Sequence, residues 1–274
     1  MTSLRILLYR RPSLVAVLAW LLLAGCAAQA QSTNATDVKA WSGRPPGGGQ
    51  PPRWSAGVGC FFSSEPYRGY DYRILPLPIV SYFGERLFVA GPRAGYKIIR
   101  GDGYSVSLSA GYDFSGYEED DSDVFDGMGD RDGTVMAGAV VAVDLPQKLN
   151  LEMGVQGDVL GRHDGQSAHV RVQRTFRKDA FNVAPGLGIV VQSHRMADYY
   201  YGVPESDARE GRPAYEVDAA ANVRLGVRLT YAFNSRIQLA ATPGIEWLDE
   251  EIRRSPLVDQ NILFSGFLAI TYGF

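Results

Sequence analysis

Apolar and polar residues alternate along much of this chain, most clearly in its last segment, Asn261 to Phe274. One face of that segment carries Ile262, Phe264, Gly266, Leu268, Ile270, Tyr272 and Phe274. The other face carries Asn261, Ser265, Thr271 and Gly273 together with the less polar Leu263, Phe267 and Ala269. Because a side-chain period of two belongs to extended backbone, this segment is predicted to be a β-strand with one apolar face.

The same two-faced pattern recurs through the chain and predicts further strands. In Ser105 to Phe114, for example, apolar residues at even positions oppose Ser105, Ser107 and Ser109. The pattern predicts strands near residues 54–64, 72–83, 86–99, 103–115, 133–145, 148–160, 166–177, 181–194, 218–233, 235–248 and 260–274. Many of these runs reach about 10 residues, the length that a strand needs to cross a membrane.

Short joints such as residues 83–86 and 234–235 separate many of the runs, and no helical segment is expected between them, which predicts antiparallel neighbours. Strands in a bilayer must close into a barrel, because an open edge would leave backbone groups unpaired in lipid. The predicted fold is therefore an all-β, antiparallel transmembrane β-barrel. A soluble β-sandwich is the alternative, but its strands average only about 5–6 residues.

The predicted strand number follows from closure. Bacterial single-chain barrels have an even number of strands, whereas the pattern delimits an odd number. We therefore expect twelve strands, with ten as the alternative. The least regular region precedes residue 100, where Pro76, Pro78 and Pro92 interrupt the alternation.

The first 30 residues have the layout of an export signal: arginines, an apolar run over residues 14–24, and then small residues. Cleavage after Ala30 fits ordinary signal peptidase. Leu23-Ala24-Gly25-Cys26 equally fits a lipobox in which Cys26 would be lipidated. We expect residues 1–30 to form the signal, 31–53 a flexible Pro/Gly-rich linker and 54–274 the barrel, which places the protein in the bacterial outer membrane in contact with its lipid.

The charge of the chain bears on its binding partners, and its cysteine content bears on disulfide formation. The 274 residues carry 27 Lys and Arg against 30 Asp and Glu, a formal net charge of −3, and contain 2 Cys. No basic cluster forms outside the signal, so a nucleic-acid partner is not expected. If Cys26 is removed or lipidated, Cys60 has no partner for an intramolecular disulfide.

If the apolar face meets lipid, the polar face lines the lumen and collects charges of both signs. The candidate lumen residues are Arg171, Arg224, Arg228, Arg236, Glu152, Asp158 and Glu246. Opposite charges in so narrow a space are expected to pair, because an unpaired buried charge is costly. An ion-paired, mostly filled lumen and a narrow selective pore are both consistent with these residues.

Two loops are candidate interaction sites. The first, residues 116–133, is rich in acidic side chains, including Asp120, Asp121, Asp123 and Asp130. Its spacing does not fit an EF-hand, and a solvated acidic loop is favoured over a cation site. The second contains Tyr199, Tyr200 and Tyr201, which are expected to form either an aromatic girdle at the membrane interface, the commoner case, or a recognition surface.

Motifs for catalysis, cofactors and metals are not found. The three histidines lack metal-ligand spacing, and no nucleophile elbow or phosphate-binding loop is present. A Ser–His site among Ser167, His163 and His169 is the weakest of the alternatives. The sequence therefore predicts a non-enzymatic protein without cofactor or metal.

An ordered set of short motifs resembles the MipA/OmpV family of outer-membrane proteins. The set comprises Leu75-Pro76-Leu77-Pro78, Gly129-Asp130-Arg131-Asp132-Gly133, Gly157-Asp158-Val159-Leu160, Asp198-Tyr199-Tyr200-Tyr201-Gly202-Val203, Ser255-Pro256-Leu257-Val258-Asp259 and Tyr272-Gly273-Phe274. The resemblance implies a non-enzymatic barrel, and one family member resembles a scaffold joining a lytic murein transglycosylase to a murein synthase. It implies a murein hydrolase and a murein synthase as partners here; a narrow channel and a surface adhesin or receptor are the alternatives.

Overall fold

A computed structural model describes residues 52–274 of the chain. The predicted signal, Cys26 and the predicted linker up to residue 51 lie outside the described residues. The first strand begins at Trp54.

Strands make up most of the described chain. They are β1 Trp54–Ser64, β2 Tyr72–Phe83, β3 Leu87–Ala90, β4 Arg93–Arg100, β5 Tyr104–Asp113, β6 Thr134–Leu145, β7 Leu149–Asp158, β8 Gln166–Arg174, β9 Phe176–Lys178, β10 Phe181–Gln192, β11 Ala220–Ala232, β12 Ile237–Ala241, β13 Gly244–Trp247 and β14 Ile262–Gly273. Two α-helices, α1 His194–Tyr201 and α2 Glu250–Arg253, lie in the connections after β10 and β13. Among residues 52–274, no helix is long and apolar enough to cross a membrane.

The sheet closes on itself, because β1 pairs with β2 on one side and with β14 on the other. β8 and β9 pair with successive parts of β10, so together they form one interrupted strand. β12 and β13 form another along β11 and β14. Counted in this way, the antiparallel barrel has 12 strands, which confirms the predicted fold class and strand number.

Two details of the predicted organisation were wrong. The strand expected over residues 86–99 is two strands, β3 and β4, which reverse at Gly91 and Pro92. This reversal supplies the strand that the alternation alone did not resolve. The connections also contain helices α1 and α2, although none was expected; both lie in long loops, where a period of two gives no information.

The alternation of side chains has the predicted direction. In β14, Phe264 is 59% exposed whereas its neighbour Leu263 is 8% exposed. The same contrast separates Leu108, which is 52% exposed, from the buried Ser107 in β5. Large apolar side chains thus cover the outside of the barrel, where hydrocarbon can surround them, and smaller or polar side chains turn inward.

The two ends of the barrel differ in the length of their connections. Ser55 pairs with Gly273 at the end that carries the short turns, residues 84–86, 101–103, 146–148, 179–180 and 233–236. The opposite end carries the long loops, residues 65–71, 114–133, 159–165, 193–219 and 248–261. In outer-membrane barrels short turns face the periplasm and long loops face outward.

Prolines mark the interruptions of the ladder. Pro92 lies in the turn between β3 and β4, and Pro243 separates β12 from β13. Pro185 of β10 lies opposite the break between β8 and β9. Because proline has no backbone N–H, each of these positions lacks one ladder hydrogen bond.

Candidate functional site: the covered lumen and the long-loop end

The long loops fold onto one another around a single apolar core, here called the loop core. Its fully buried members include Phe125, Tyr200, Val217, Ile252 and Leu257, which come from three of the long loops, and Tyr67 adds a fourth loop. Because the contributing loops start from strands around the whole circumference, their shared core lies across the mouth of the barrel. The long-loop end is therefore covered by packed side chains.

Helix α1 supplies the centre of the loop core. Met196, Ala197, Tyr200 and Tyr201 are buried and lie on one helical face, at the spacing that a helix uses to bury one side. Burial raises the pKa of the Tyr200 and Tyr201 hydroxyls above their ordinary value. These two tyrosines form neither the expected interface girdle nor an exposed recognition surface, because the helix turns both rings into the core.

Tyr199 connects α1 with the acidic loop. Its hydroxyl accepts a hydrogen bond from Asp132 N at 3.1 Å, and the guanidinium of Arg131 lies 5.3 Å from its ring centroid. The two predicted interaction loops are thus neighbours in the structure.

Two carboxylates of the acidic loop accept hydrogen bonds from the backbone of the same loop. Asp121 accepts from Glu118 N at 2.9 Å, and Asp130 accepts from Glu119 N at 2.8 Å. Asp120 and Asp123 are exposed to solvent. Within residues 52–274, no group of three or more His, Cys, Asp or Glu side chains is placed to hold a metal ion.

Arg212, from the loop after α1, braces the acidic loop. Its guanidinium is buried and donates to the carbonyl oxygens of Val124, Asp126 and Asp207. Burial lowers the pKa of Arg212 from its ordinary value. Arg209 adds an exposed ion pair with Asp126 at 3.5 Å and a bond to the carbonyl of Asp123.

Asp158, a predicted lumen charge, organises the loop between β7 and β8. Its carboxylate accepts from Leu160 N at 2.9 Å, His163 N at 2.8 Å and Asp164 N at 3.1 Å, as well as from the Thr134 hydroxyl. These bonds place Asp158 at the upper rim of the barrel, where it fixes the loop that brings His163 against α1.

Two of the predicted lumen charges pair directly. Arg224 of β11 lies 2.8 Å from Glu246 of β13 through Nε and 3.1 Å through Nη2. Asn222 Nδ2 donates to the same Glu246 carboxylate at 2.7 Å, while its Oδ1 accepts from Asp249 N at 2.8 Å. The pair is therefore tied to the start of the loop that carries α2.

A second group of charges lies on the inner faces of β7, β8 and β11. Glu152 is 1% exposed and its Oε1 lies 2.9 Å from Nε2 of His169. Arg171 is the register partner of Glu152 on β8, and Arg228 is 2% exposed on β11. Opposite charges thus face one another across neighbouring strands inside the barrel.

Arg236 does not belong to this group. It lies exposed in the short turn after β11, and its Nη1 donates to the hydroxyl of Tyr272 at 2.8 Å. The expectation that Arg236 faces the lumen was therefore wrong: the residue precedes β12, where the strand alternation does not yet apply.

The three side chains of the weak Ser–His alternative have separate partners. His163 Nδ1 accepts from Gly165 N at 2.8 Å, His169 lies against Glu152, and Ser167 accepts from Gln156 at 3.0 Å.

The sequence did not single out Asn222 or Arg212, and it named His163 and His169 only in the weak Ser–His alternative and not for their positions in this region. His169 and Asn222 have the same strand parity as the predicted lumen charges, so the alternation contains the signal that identifies them. Arg212 and His163 lie in irregular loops, where no periodicity indicates which way a side chain points. The four-residue spacing between Met196 and Tyr200, and between Ala197 and Tyr201, is the pattern that could have revealed α1.

Comparisons with known proteins agree with this architecture. Residues 56–274 match the family described as "MltA-interacting protein MipA". Over 223 residues the chain is 26% identical to the Escherichia coli (strain K12) protein YiaT, named as an outer membrane protein, covering 80% of this chain and 90% of that one. Over 227 residues it is 26% identical to "MltA-interacting protein" of the same organism, covering 81% of this chain and 90% of that one.

Among solved structures, the chain is similar to the translocator domain of the autotransporter NalP from Neisseria meningitidis. That similarity has a TM-score of 0.47 and 12% identity, and covers 87% of this chain and 94% of the other. The relatives are named as outer membrane or interacting proteins rather than as enzymes. With a family match that spans all the described strands but the first residues of β1, the chain belongs to the MipA/OmpV family of bacterial outer-membrane β-barrel proteins.

Proposed function

We propose that this protein is a non-enzymatic scaffold of the outer membrane that holds a murein hydrolase and a murein synthase together during cell-wall assembly. A relative over most of the chain is named for interaction with MltA. The observation that carries the proposal beyond the name is the charge of the end that faces the periplasm.

The short-turn end carries a rim of exposed cations, here called the basic turn rim. Its members are Arg53, Arg86, Arg100, Lys148, Arg174, Arg177, Lys178 and Arg236. They outnumber the exposed acidic residues of the same end, Glu85, Asp102, Asp144 and Asp179. Since the turns themselves are short, a partner would meet a shallow, positively charged surface, and charge complementarity would orient an acidic partner face on it.

Because the loop core covers one end of the barrel, a channel is the second candidate function, after the scaffold. A pore needs a continuous aqueous path, whereas the loop core lies across one end and the lumen holds opposed charges such as Arg224 and Glu246. These features fit a barrel that serves as a platform.

Charge reversal on the basic turn rim tests the scaffold. Arg86→Glu, Lys148→Glu and Lys178→Glu would be combined in the full chain, and murein enzymes would be captured from solubilised envelopes after mild crosslinking. We expect the native chain to recover a murein hydrolase and a murein synthase, the variant to recover much less of both, and native recovery to fall with salt.

The matched control reverses the exposed Arg68, Arg195 and Arg253 of the long-loop end. We expect this control to capture as the native chain does. Equal capture by all three proteins, or no murein enzyme with the native chain, would reject the scaffold.

Planar-bilayer recording tests the channel. We expect the native chain to give no single-channel steps. Regular conductance steps that change when Glu246→Gln removes one lumen charge would instead favour a selective pore.

The adhesin or receptor alternative rests on the exposed Asp120 and Asp123. Their replacement by Asn leaves the loop core intact, because neither side chain contributes to it. Unchanged adhesion of cells that carry this double variant would count against that alternative.

A further inference from the structure

The barrel wall is incomplete beside β2. This strand pairs with β1 from Tyr72 to Tyr82, but with β3 only from Ser81 to Phe83. The last link on the β3 side is the bond from Gly91 N to Val80 O, at 3.2 Å. Within the described chain, residues 72–79 of β2 therefore have a strand neighbour on one side only.

The cause of this gap is the shortness of the β3–β4 hairpin. The hairpin reverses at Gly91 and Pro92, and the next strand, β5, is linked to it up to Tyr112, whose N–H donates to Pro92 O at 3.3 Å. Beyond the hairpin tip, no strand formed by residues 52–274 fills the space between β2 and the end of β5. We call this space the β2 notch. Where β3 and β4 lie between them, β2 and β5 are three strand spacings apart, about 14 Å.

Two prolines face the notch. In an antiparallel sheet, alternate residues direct their backbone groups to opposite neighbours. Phe83 N bonds to Arg53 O on the β1 side, whereas Val80 O accepts from the hairpin, so Pro78 and Pro76 direct their backbone to the hairpin side. Proline has no N–H, and these two positions thus present carbonyl oxygens but no unpaired donors to the notch.

The inner surface beside the notch is apolar. Phe61 and Ile79 are 3% and 2% exposed, and pack with the buried Leu77 and Ala269. Leu75, Phe114 and Phe267 pack against this cluster. The paired charges Glu152–His169 and Arg224–Glu246 lie elsewhere on the lumen wall, on β7, β8, β11 and β13, and the buried Lys97 lies on β4.

Phe114 and Arg73 border the notch. Phe114 follows the last residue of β5; its ring packs against the inner apolar cluster and lies 4.6 Å from the ring of Tyr112. The Arg73 guanidinium donates to the carbonyls of Phe114 and Gly116 and so bridges the flanks at the upper end. The notch is thus bounded by backbone below, by a guanidinium bridge above and by apolar side chains inside.

We propose that the β2 notch binds an acyl chain of an outer-leaflet lipid. A protein strand is a poor occupant, because Pro76 and Pro78 cannot donate to it. An acyl chain needs no hydrogen bonds and matches both the apolar inner cluster and the exposed apolar flank formed by Tyr72, Ile74 and Val80. The notch extends from the hairpin tip toward the long-loop end, which faces outward, so the lipid comes from the outer leaflet.

Photocrosslinking from position 114 tests this site. The full chain would carry p-benzoylphenylalanine in place of Phe114, and adducts would be identified by mass spectrometry. One arm uses isolated outer membranes that contain lipopolysaccharide, and the other uses vesicles of phosphatidylglycerol alone. Heat-modifiability on gels verifies that each variant is folded.

The same replacement at two other phenylalanines provides controls for the yield of lipid adducts. Phe264 faces outward and is 59% exposed, so the same replacement there should give lipid adducts in both arms; Phe88 is buried inside the barrel at 3% exposure and should give none. We expect position 114 to behave as position 264 does, with lipopolysaccharide adducts in membranes and phosphatidylglycerol adducts in vesicles. Lipid adducts at 264 but not at 114 would overturn the site, and phospholipid adducts alone at 114 in outer membranes would overturn the outer-leaflet assignment.

Discussion

Single buried polar side chains hold the long loops in place in addition to the apolar packing of the loop core. The Ser255 hydroxyl donates to Tyr201 O at 2.6 Å, and the Tyr67 hydroxyl donates to Tyr200 O at 3.3 Å. Each of these bonds joins loops that are far apart in sequence. The removal of one such group leaves a buried carbonyl unpaired, which costs about 1–3 kcal/mol.

Arg212→Lys should loosen the acidic loop without affecting the strands. A guanidinium serves three carbonyls in a fixed plane, whereas an ammonium cannot reproduce that geometry. We expect faster cleavage of the acidic loop by a Glu-specific protease, and unchanged heat-modifiability. Arg209→Lys is the control, because the Arg209 ion pair is exposed and weak; similar cleavage rates for Arg212→Lys and the native chain would contradict the bracing role.

His163 should make the long-loop end sensitive to acid. Its Nδ1 accepts from Gly165 N at 2.8 Å, so the neutral ring carries its proton on Nε2, and a second proton would break that bond. Burial lowers the pKa of His163, against the opposing effect of Asp158, Asp113 and Asp164. The rings of Tyr199 and Tyr200 cover the imidazole at 5.8 and 5.6 Å between centroids.

The sign of the effect follows from proton linkage. The unfolded chain takes up a proton at its ordinary histidine pKa, about 6.5, and the folded chain does so only at lower pH. The unfolded state then binds more protons between these values, and the free energy of unfolding falls as the pH drops below about 6.5, by at most about 1.4 kcal/mol per unit.

Urea unfolding in detergent between pH 5 and 8 measures this contribution when the native chain is compared with His163→Asn. The amide oxygen can still accept from Gly165 N but does not titrate, so we expect the variant to lose less stability on acidification. Burial raises the pKa of the Glu65 carboxyl, so Glu65 changes the free energy of unfolding with pH in the opposite direction. Both proteins contain Glu65, so its contribution cancels when their pH profiles are subtracted. Parallel pH profiles would contradict the role of His163.

At the scale of elements, strand alternation predicted the barrel because hydrocarbon outside and polar groups inside impose opposite preferences on successive residues. The same argument located the charges of β7, β8 and β11, where parity decides direction. It did not resolve the β3–β4 hairpin, because the chain reverses at Gly91 and Pro92 and no run of polar residues marks the turn there. Nor could it place the loop core, because contacts such as Tyr67 with Tyr200 depend on which loops meet over the mouth.

The prolines of β2 and β10 should respond in opposite ways to replacement by valine. Pro76→Val adds an N–H that points into the β2 notch, where an acyl chain offers no acceptor, so unfolding in vesicles should become easier by about 1–3 kcal/mol. Pro185→Val adds an N–H that faces the β8–β9 strand, where Arg174 O lies opposite, so its effect should be neutral or stabilising. If both variants keep native stability, the notch holds an acceptor such as water and an acyl chain does not fill it.

On the scale of the whole molecule, charge is distributed unevenly between the two ends. The short-turn end carries the basic turn rim, and the long-loop end carries most of the acidic residues, including Asp120, Asp123, Glu210 and Glu250. The even number of strands brings Ser55 and Gly273 to the basic end. The proposed scaffold and the proposed lipid site both depend on the basic end facing the periplasm and the acidic end facing outward.

Thiol labelling of intact cells tests that orientation directly. In a Cys60→Ala background, Glu210→Cys places a thiol in a long loop and Gln147→Cys places one in a short turn; both positions are exposed. A membrane-impermeant maleimide should label position 210 on intact cells and position 147 only after the outer membrane is permeabilised. Both should label in detergent, which controls for reactivity. Labelling of position 147 on intact cells would show that the barrel has the opposite orientation. The basic turn rim would then face away from the murein layer and the β2 notch would lie in the inner leaflet, so this single measurement would exclude both the scaffold and the outer-leaflet origin of the bound lipid.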